Sequence, residues 1–400
     1  MKPPRLALFA DCYHEVNGVA NTVRHLERYA VEQQLPVLCV RSGGKTRLVR
    51  DGAFGALELR RSPLCFPVDR DLEFDLLLNR HLPRIKRELT AFRPDVIHIT
   101  GPGDIGIAGM LASRILRAPL VASWHTNVHE FAARRLEQLL APVPARTRQR
   151  VCASGEQMVW RLLTLYYRAP SLLFAPNPEL IEALARDTGR RVLPMPRGID
   201  TALFHPSRRR RPEGEVVFGY VGRLTPEKNV RLLVEVDRAL RTSGRRGYRF
   251  LIVGDGGERP ALERELPGAR FTGVLRGEAL AEAYASMDLL LFPSHTDTFG
   301  NVALEAQASG VPVLATADGG PKFLVEDGRT GWVAGSDDAF VRKAVEAAAR
   351  PSTLSAMGPE ARASVLSRSW DQVFSDLYGA YGAVVTASGA GLRSALYGVA

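Results

Sequence analysis

The chain has 400 residues, 46% of them hydrophobic and 24% charged, the composition of a folded globular protein. Disordered, collagen-like and membrane-spanning chains are excluded, and at about 100–200 residues per domain two domains are expected. The net charge of +10 favours anionic partners, but no helix-turn-helix, RNP-like or zinc-finger pattern accompanies it, so nucleic acid is not an expected partner.

Read in chain order, strand, loop and helix alternate. Residues 5–10 (RLALFA) read as a buried strand, Asn17-Gly18-Val19-Ala20 as a turn, and 21–34 as a helix. Residues 35–40 form the next strand, followed by strand 95–99, helix 105–116 and strand 120–124. The apolar runs are short and continuous, as in parallel strands covered on both faces. Near the middle the texture breaks at Met195-Pro196-Arg197-Gly198-Ile199-Asp200 and at 207–211 (SRRRR), where Pro, Gly and like charge mark a boundary. The rhythm then restarts. Strands at 216–221, 249–254, 269–273, 288–293 and 311–315 alternate with helices at 229–241, 261–266, 278–286 and 301–309. The fold class is therefore α/β, with two Rossmann-like doubly wound parallel sheets in tandem facing a cleft. The expected domains are 1–195 and 196–369. Residues 370–384 space Trp370, Val373, Phe374, Leu377 and Tyr381 as one face of a helix.

Four cysteines, none in a C-x-x-C pair, argue against a disulfide framework or structural zinc and fit a reduced cytoplasmic compartment. The apolar run 6–10 stops at Asp11, too short for a signal sequence. The uncharged stretch 377–392 is too short and too polar to span a bilayer.

The most informative motif is 297–305 (DTFGNVALE), two carboxylates separated by Phe299-Gly300-Asn301, where a loop gives way to a helix. Helix N-termini carry partial positive charge and free amides, a ready site for phosphate. Residues 222–229 (GRLTPEKN) place Arg223 and Lys228 on a strand-to-helix loop, a fork and a point charge within reach of one anion. The chain has only six lysines, which makes this one informative. Gly254-Asp255-Gly256-Gly257 is a glycine-rich turn after a strand. His125 ends a strand of the first domain, where a side chain points toward the ligand crevice. Gly43-Gly44-Lys45-Thr46 lacks the first glycine of a P-loop, and Asp69-Arg70-Asp71 lacks the context of a metal site.

Together, Asn17-Gly18-Val19, Trp124-His125-Thr126, Arg197-Gly198-Ile199-Asp200, Gly222-Arg223 with Lys228-Asn229, Gly254-Asp255-Gly256, Phe271-Thr272-Gly273 and Asp297-x7-Glu305 resemble, in order and spacing, the retaining glycosyltransferases of family 4, which have the GT-B fold. The resemblance spans nearly the whole chain. It implies that a final helix, 370–386, crosses back to complete the first, acceptor-binding domain, and that the second domain binds a nucleotide-diphosphate sugar. It implies that Arg223 and Lys228 hold the donor diphosphate, with the Gly18 amide meeting the same phosphates. Glu305 would bind the ribose, and Asp297 with the backbone of Phe299, Gly300 and Asn301 would hold the transferred sugar. His125 would hydrogen-bond that sugar, Gly254 would belong to the donor loop, and Val274 or Leu275 would pack near the base. No metal or other cofactor is expected. The family motif usually begins with Glu; the shorter Asp297 stands there, which bears on sugar preference. The segment Thr296-Asp297-Thr298-Phe299-Gly300 looks most like GDP-mannose-dependent α-mannosyltransferases, with a UDP-hexose donor as the nearest alternative. The expected acceptor is a lipid or glycan hydroxyl. Residues 130–140 and 156–168 mix apolar and basic side chains, which suits peripheral contact with an anionic membrane. The competing readings are a UDP-sugar 2-epimerase-like enzyme of the same fold and an inactive binding protein.

Overall fold

The computed structural model describes residues 2–15, 18–69, 72–125, 140, 144–210 and 214–397. Asn17, Arg70, Asp71, Thr126, most of the expected helix at 130–140, and residues 211–213 lie outside them. The chain divides into two compact units, 1–196 with 371–400, and 197–370.

The first unit opens with β1 (Leu6–Ala10), α1 (Gly18–Glu32), β2 (Val37–Gly43), β3 (Arg47–Asp51), β4 (Phe54–Arg60), β5 (Cys65–Asp69) and β6 (Leu72–Asp75). It continues through α2 (Leu82–Phe92), β7 (Val96–Ile99), α3 (Asp104–Leu116), β8 (Leu120–Ser123), α4 (Ala145–Tyr167), β9 (Leu172–Ala175), α5 (Pro178–Thr188) and β10 (Arg191–Pro194). Its main sheet runs β10-β9-β8-β7-β1-β2-β4-β3, parallel except for β3. Every residue of β1, β7, β8 and β9 is buried, which is why these strands read as unbroken apolar runs. The sequence reading assigned nothing to 47–60, yet β3 and β4 pair there as an antiparallel hairpin. Buried charge hides it: Glu58 in β4 lies between Arg41 at 3.3 Å and Arg47 at 2.7 Å, and Glu27 meets Arg41 at 2.7 Å. Helix α5 shows ordinary punctuation, with Asn177 accepting from the Leu180 amide, Pro178 in the first turn and Gly189 in the left-handed region at its end.

The second unit contains β11 (Val216–Val221), α6 (Leu232–Thr242), β12 (Tyr248–Val253), α7 (Arg259–Glu265), β13 (Arg270–Gly273), α8 (Gly277–Ala285) and β14 (Leu289–Phe292). Then come α9 (Asn301–Ala308), β15 (Val313–Thr316), β16 (Gly331–Ala334), α10 (Asp337–Ala349) and α11 (Pro351–Ala363). The sheet is wholly parallel, in the order β13-β12-β11-β14-β15-β16. The chain therefore turns one way from β11 to β12 and the other way to β14, a topological switch between β11 and β14. The basic run is less of a free linker than its composition suggests. Arg209 pairs with Asp288 at 2.9 Å, and Arg208 and Arg210 approach Glu278 and Glu282 on α8, each at 3.5 Å.

The last helix, α12 (Trp370–Tyr397), returns to the first unit. Its face buries Val373, Phe374, Leu377 and Tyr381, the spacing read from the sequence. Phe374 packs on Tyr29 of α1, ring centres 5.4 Å apart. The expected helix near 156–168 is the second half of α4. Its Leu163 and Tyr167 are buried and Trp160 stacks on Trp124 at 5.4 Å, so one face is core.

Candidate active site

In the second unit, the segments expected to bind a donor all leave the carboxyl ends of adjacent strands. Val274 and Leu275 follow β13, Gly254 follows β12, Arg223 and Lys228 follow β11, and Asp297 through Asn301 follow β14. The two charged segments flank the switch point, where open α/β sheets bind ligands.

Lys228 ends a short 3-10 turn, Pro226–Lys228, and Asn229 then takes φ +52 to start the next turn. The Lys228 Nζ donates to Asp297 Oδ1 at 2.6 Å, with the two side chains 18% and 24% exposed. Burial opposes ionisation of Asp297, but the charge and hydrogen bond of Lys228, a hydrogen bond from Ser294 and the charge of Arg223 outweigh it. The carboxyl is held below its ordinary range. Arg223 approaches Glu227 at 3.7 Å, and its backbone carbonyl accepts from the buried Tyr220 hydroxyl at 2.8 Å.

The loops are knitted through backbone, which explains the glycines. Gly254 takes φ +138, and a Cβ there would collide with the Gly222 carbonyl. Leu224 N donates to Asp255 O at 2.9 Å, tying the Arg223 loop to the β12 turn. Gly300 sits at φ +96 as the N-cap of α9, with Phe299 buried behind it. Gly320 N donates to Asp297 O at 2.6 Å, so a second glycine loop, 319–320, backs the motif. Thr225 Oγ1 and Asn301 Oδ1 are buried and have no hydrogen-bond partner among the described residues. The Arg197 guanidinium lies 5.6 Å from the centre of the Phe299 ring, and burial lowers its pKa to about 10.

Glu305 lies one turn inside α9 and accepts from the Tyr284 hydroxyl of α8 at 2.6 Å. Burial pushes its carboxyl up to about 7, and the Tyr284 hydrogen bond works against that rise. Tyr284 was not found from sequence: a helical tyrosine 21 residues upstream carries no local mark of this contact. Of the two expected base neighbours, Val274 is 57% exposed, whereas Leu275 packs against the core.

In the first unit, Gly18 is the first residue of α1, so its amide is among the donors a helix start leaves without an intrahelical acceptor. His125 follows β8 and is 9% exposed; its Nε2 lies 2.6 Å from Ser123 Oγ. Trp124 beside it is fixed by its amide on Phe174 O at 2.8 Å and by stacking on Tyr167 at 5.0 Å. The end of β1 is tied to α3 through Asp11, whose carboxylate accepts from Gly103 N at 3.1 Å and Gly106 N at 3.0 Å. Among the described residues, no group of three or more His, Cys, Asp or Glu side chains is placed to hold a metal ion.

Two family models match: "Glycosyltransferase Family 4" over residues 16–203 and "Glycosyl transferases group 1" over 215–350. The chain is 38% identical to the GDP-mannose-dependent alpha-mannosyltransferase of Mycolicibacterium smegmatis, covering 95% of this chain and 98% of that protein. It is 34% identical to the protein of the same name from Mycobacterium tuberculosis, covering 95% and 97%. Among solved structures, sucrose-phosphate synthase from Thermosynechococcus elongatus superposes with a TM-score of 0.73 at 20% identity, covering 97% of this chain and all of that one, a likeness of fold. With both sheets, the returning helix and the motif loops in place, the chain belongs to glycosyltransferase family 4 and is a glycosyltransferase of the GT-B fold.

Proposed function

We propose that the enzyme transfers a mannosyl group from GDP-mannose to a lipid or glycan hydroxyl, with retention at the anomeric carbon. The observation that carries this reading is the spatial order along the second sheet. An exposed apolar side chain (Val274) is followed by a glycine turn (Gly254), two cations (Arg223 and Lys228) and a carboxylate on a helix-start loop (Asp297). That order suits the base, the ribose-diphosphate and the sugar of an extended donor. The full-length relatives named for GDP-mannose support the choice of donor.

Arg223 and Lys228 hold the diphosphate, and the Gly18 amide is assigned to the same phosphates. Glu305, oriented by Tyr284, takes the ribose hydroxyls. Asp297 and the backbone of Phe299, Gly300 and Asn301 bind the mannosyl hydroxyls, and His125 donates to the same sugar. In the transfer, the bond from the anomeric carbon to the β-phosphate oxygen breaks, and the acceptor oxygen bonds the same face of that carbon. The acceptor's proton passes to the departing phosphate. Negative charge grows on that phosphate, so Lys228 and Arg223 act most strongly in the transition state, and no metal is assigned a part. Asp297 aims Lys228 through their ion pair.

Thermal shift against GDP, UDP, ADP and their mannose and glucose conjugates, with and without EDTA, tests this reading. Selective stabilisation by GDP and GDP-mannose, unchanged by EDTA, is expected. Selectivity for UDP, or a response abolished by EDTA, contradicts it. Turnover of a UDP-sugar without an acceptor would point instead to an epimerase.

Peripheral contact with an anionic membrane on the cytoplasmic side is part of the proposal. Opposite its core face, α4 exposes Val151, Met158, Leu162 and Leu165 at 42–63%, among exposed arginines such as Arg150 and Arg161. Among the described residues no disulfide joins the four cysteines. No helix among the described residues is long and apolar enough to cross a membrane. Flotation with anionic but not neutral vesicles, lost in Leu162→Glu, is expected; equal flotation of wild type and variant would count against this face.

A further inference from the structure

The loops that meet at the Lys228–Asp297 ion pair meet a second time, around the half-buried side chain of His295. Its Nδ1 lies 2.8 Å from Oδ2 of Asp318, in the loop after β15. Its Nε2 lies 3.1 Å from Oδ1 of Asp337, the first residue of α10, and 3.1 Å from Nδ2 of Asn229. Asn229 Nδ2 also reaches the two Asp337 oxygens, at 3.3 and 3.4 Å. The cluster is contiguous in sequence with the donor machinery. Asn229 follows Lys228, and His295 stands just before Thr296-Asp297. Asp318 precedes the Gly319-Gly320 loop, whose Gly320 amide donates to Asp297 O at 2.6 Å.

The ring finds partners in either protonation state. A carboxylate can only accept, so Nδ1 donates to Asp318. Without a proton, Nε2 accepts from the Asn229 amide; with one, it donates to Asp337. The two carboxylates are 67% and 47% exposed, so each bond alone is weak. Their effect is joint, because one ring ties the Lys228 turn, the Asp297 loop and the loop after β15 to the start of α10. The Lys228 turn needs such an anchor. It is only Pro226–Lys228 long, and it ends in a non-glycine residue at φ +52. A further tie runs the same way, from Thr296 Oγ1 to Glu227 O at 3.4 Å.

We propose that His295 is a positioning residue for the donor site: by bridging Asp318, Asp337 and Asn229 it holds the turn that carries Lys228 against the loop that carries Asp297. This rests on the reading that Lys228 binds the donor diphosphate. His295 acts through Lys228 and takes no part in the bond exchange. A long, flexible lysine stem presents its charge at a fixed point only if the backbone at its root is fixed, and the cluster fixes that root from the side away from the ion pair's own hydrogen bond.

The test is a double-mutant cycle on the full-length enzyme. It is read as the Kd for GDP and as the rate of GDP release from GDP-mannose with water as acceptor. His295→Phe keeps the bulk of the ring and loses its hydrogen bonds. It is expected to raise the Kd and lower the rate, each about three- to tenfold. His295→Gln, with a donor and an acceptor on one amide, is expected to recover part of both losses. In a Lys228→Ala background, His295→Phe should change the Kd little further, because its action runs through Lys228. An unchanged Kd and rate in His295→Phe overturn the proposal. So does a loss of equal size with and without Lys228, the mark of a general effect on the fold. If His295→Phe does not fold, the same cycle with His295→Gln decides by the same criterion. If wild type and Lys228→Ala bind GDP alike, the placement of Lys228 at the diphosphate fails, and the positioning role falls with it.

Discussion

The loops after β11 and β14 and the edge after β7 and β8 solve different problems with different chemistry. The first edge is ionic. Lys228 and Asp297 meet at 2.6 Å beside Arg223, and glycines bring backbone against backbone around them. The second is built of uncharged hydroxyls and imidazole rings. There a buried histidine, a serine and a tyrosine are joined to His125 by hydrogen bonds. A departing diphosphate gains charge as its bond breaks, and cations answer that change. A sugar hydroxyl stays neutral, and a hydrogen-bonding side chain suits it. The comparison teaches that electrostatic stabilisation and orientation need not come from the same residues or the same sheet.

The largest expected effect lies on the ionic side. Lys228→Ala should raise the barrier by about 2–4 kcal/mol in kcat/KM, as removal of a preorganised charge at a leaving group does elsewhere. Steady-state kinetics with GDP-mannose would show it, and near-normal turnover would remove Lys228 from the leaving-group site.

Asp297→Asn should cost less, about 1.5–3 kcal/mol, through loss of one charged partner of Lys228 and of the sugar. It also carries a pH signature. The Asp297 carboxyl is held below its ordinary range when folded, so the stability it contributes is present above the ordinary carboxyl pKa. That contribution is lost as pH falls through the lower folded value. The variant should therefore have a shallower acid limb in a plot of Tm against pH; identical limbs would mean that the ion pair adds nothing to folding.

The smallest effect is expected at Glu305, and its sign is opposite. Its carboxyl titrates at about 7 because it is buried. The folded state thus holds a proton that the unfolded state has released. Stability is greatest below the ordinary glutamate pKa and falls as pH rises toward and through 7. Ribose hydroxyls prefer the ionised form, so the affinity for GDP should strengthen between pH 6 and 8. Glu305→Gln should flatten both trends, and a pH-dependent Kd that survives the substitution would place its cause at another group.

How much of this was legible in the sequence depended on how local each signal is. The alternating elements of both sheets were readable because β1, β7, β8, β12 and β14 are short apolar runs between turns. The motif around Asp297 was readable because a loop, a glycine and a helix start are contiguous. The hairpin Arg47–Arg60 was missed because β4 buries Glu58 against arginines, which breaks the apolar pattern. Tyr284 was missed because its partner is 21 residues away, and the bond between Tyr381 and His98 because the two are 283 residues apart. Such contacts exist only once the sheets are assembled and α12 has docked.

The division of labour is tested most directly by measuring kcat with GDP-mannose and the Kd for GDP side by side in Lys228→Ala and His125→Ala. Lys228→Ala should weaken GDP binding and lower kcat together, whereas His125→Ala should lower kcat and leave GDP affinity at the wild-type value. Equal loss of GDP affinity in both variants would contradict the account, because it would place His125 at the phosphates instead of the sugar.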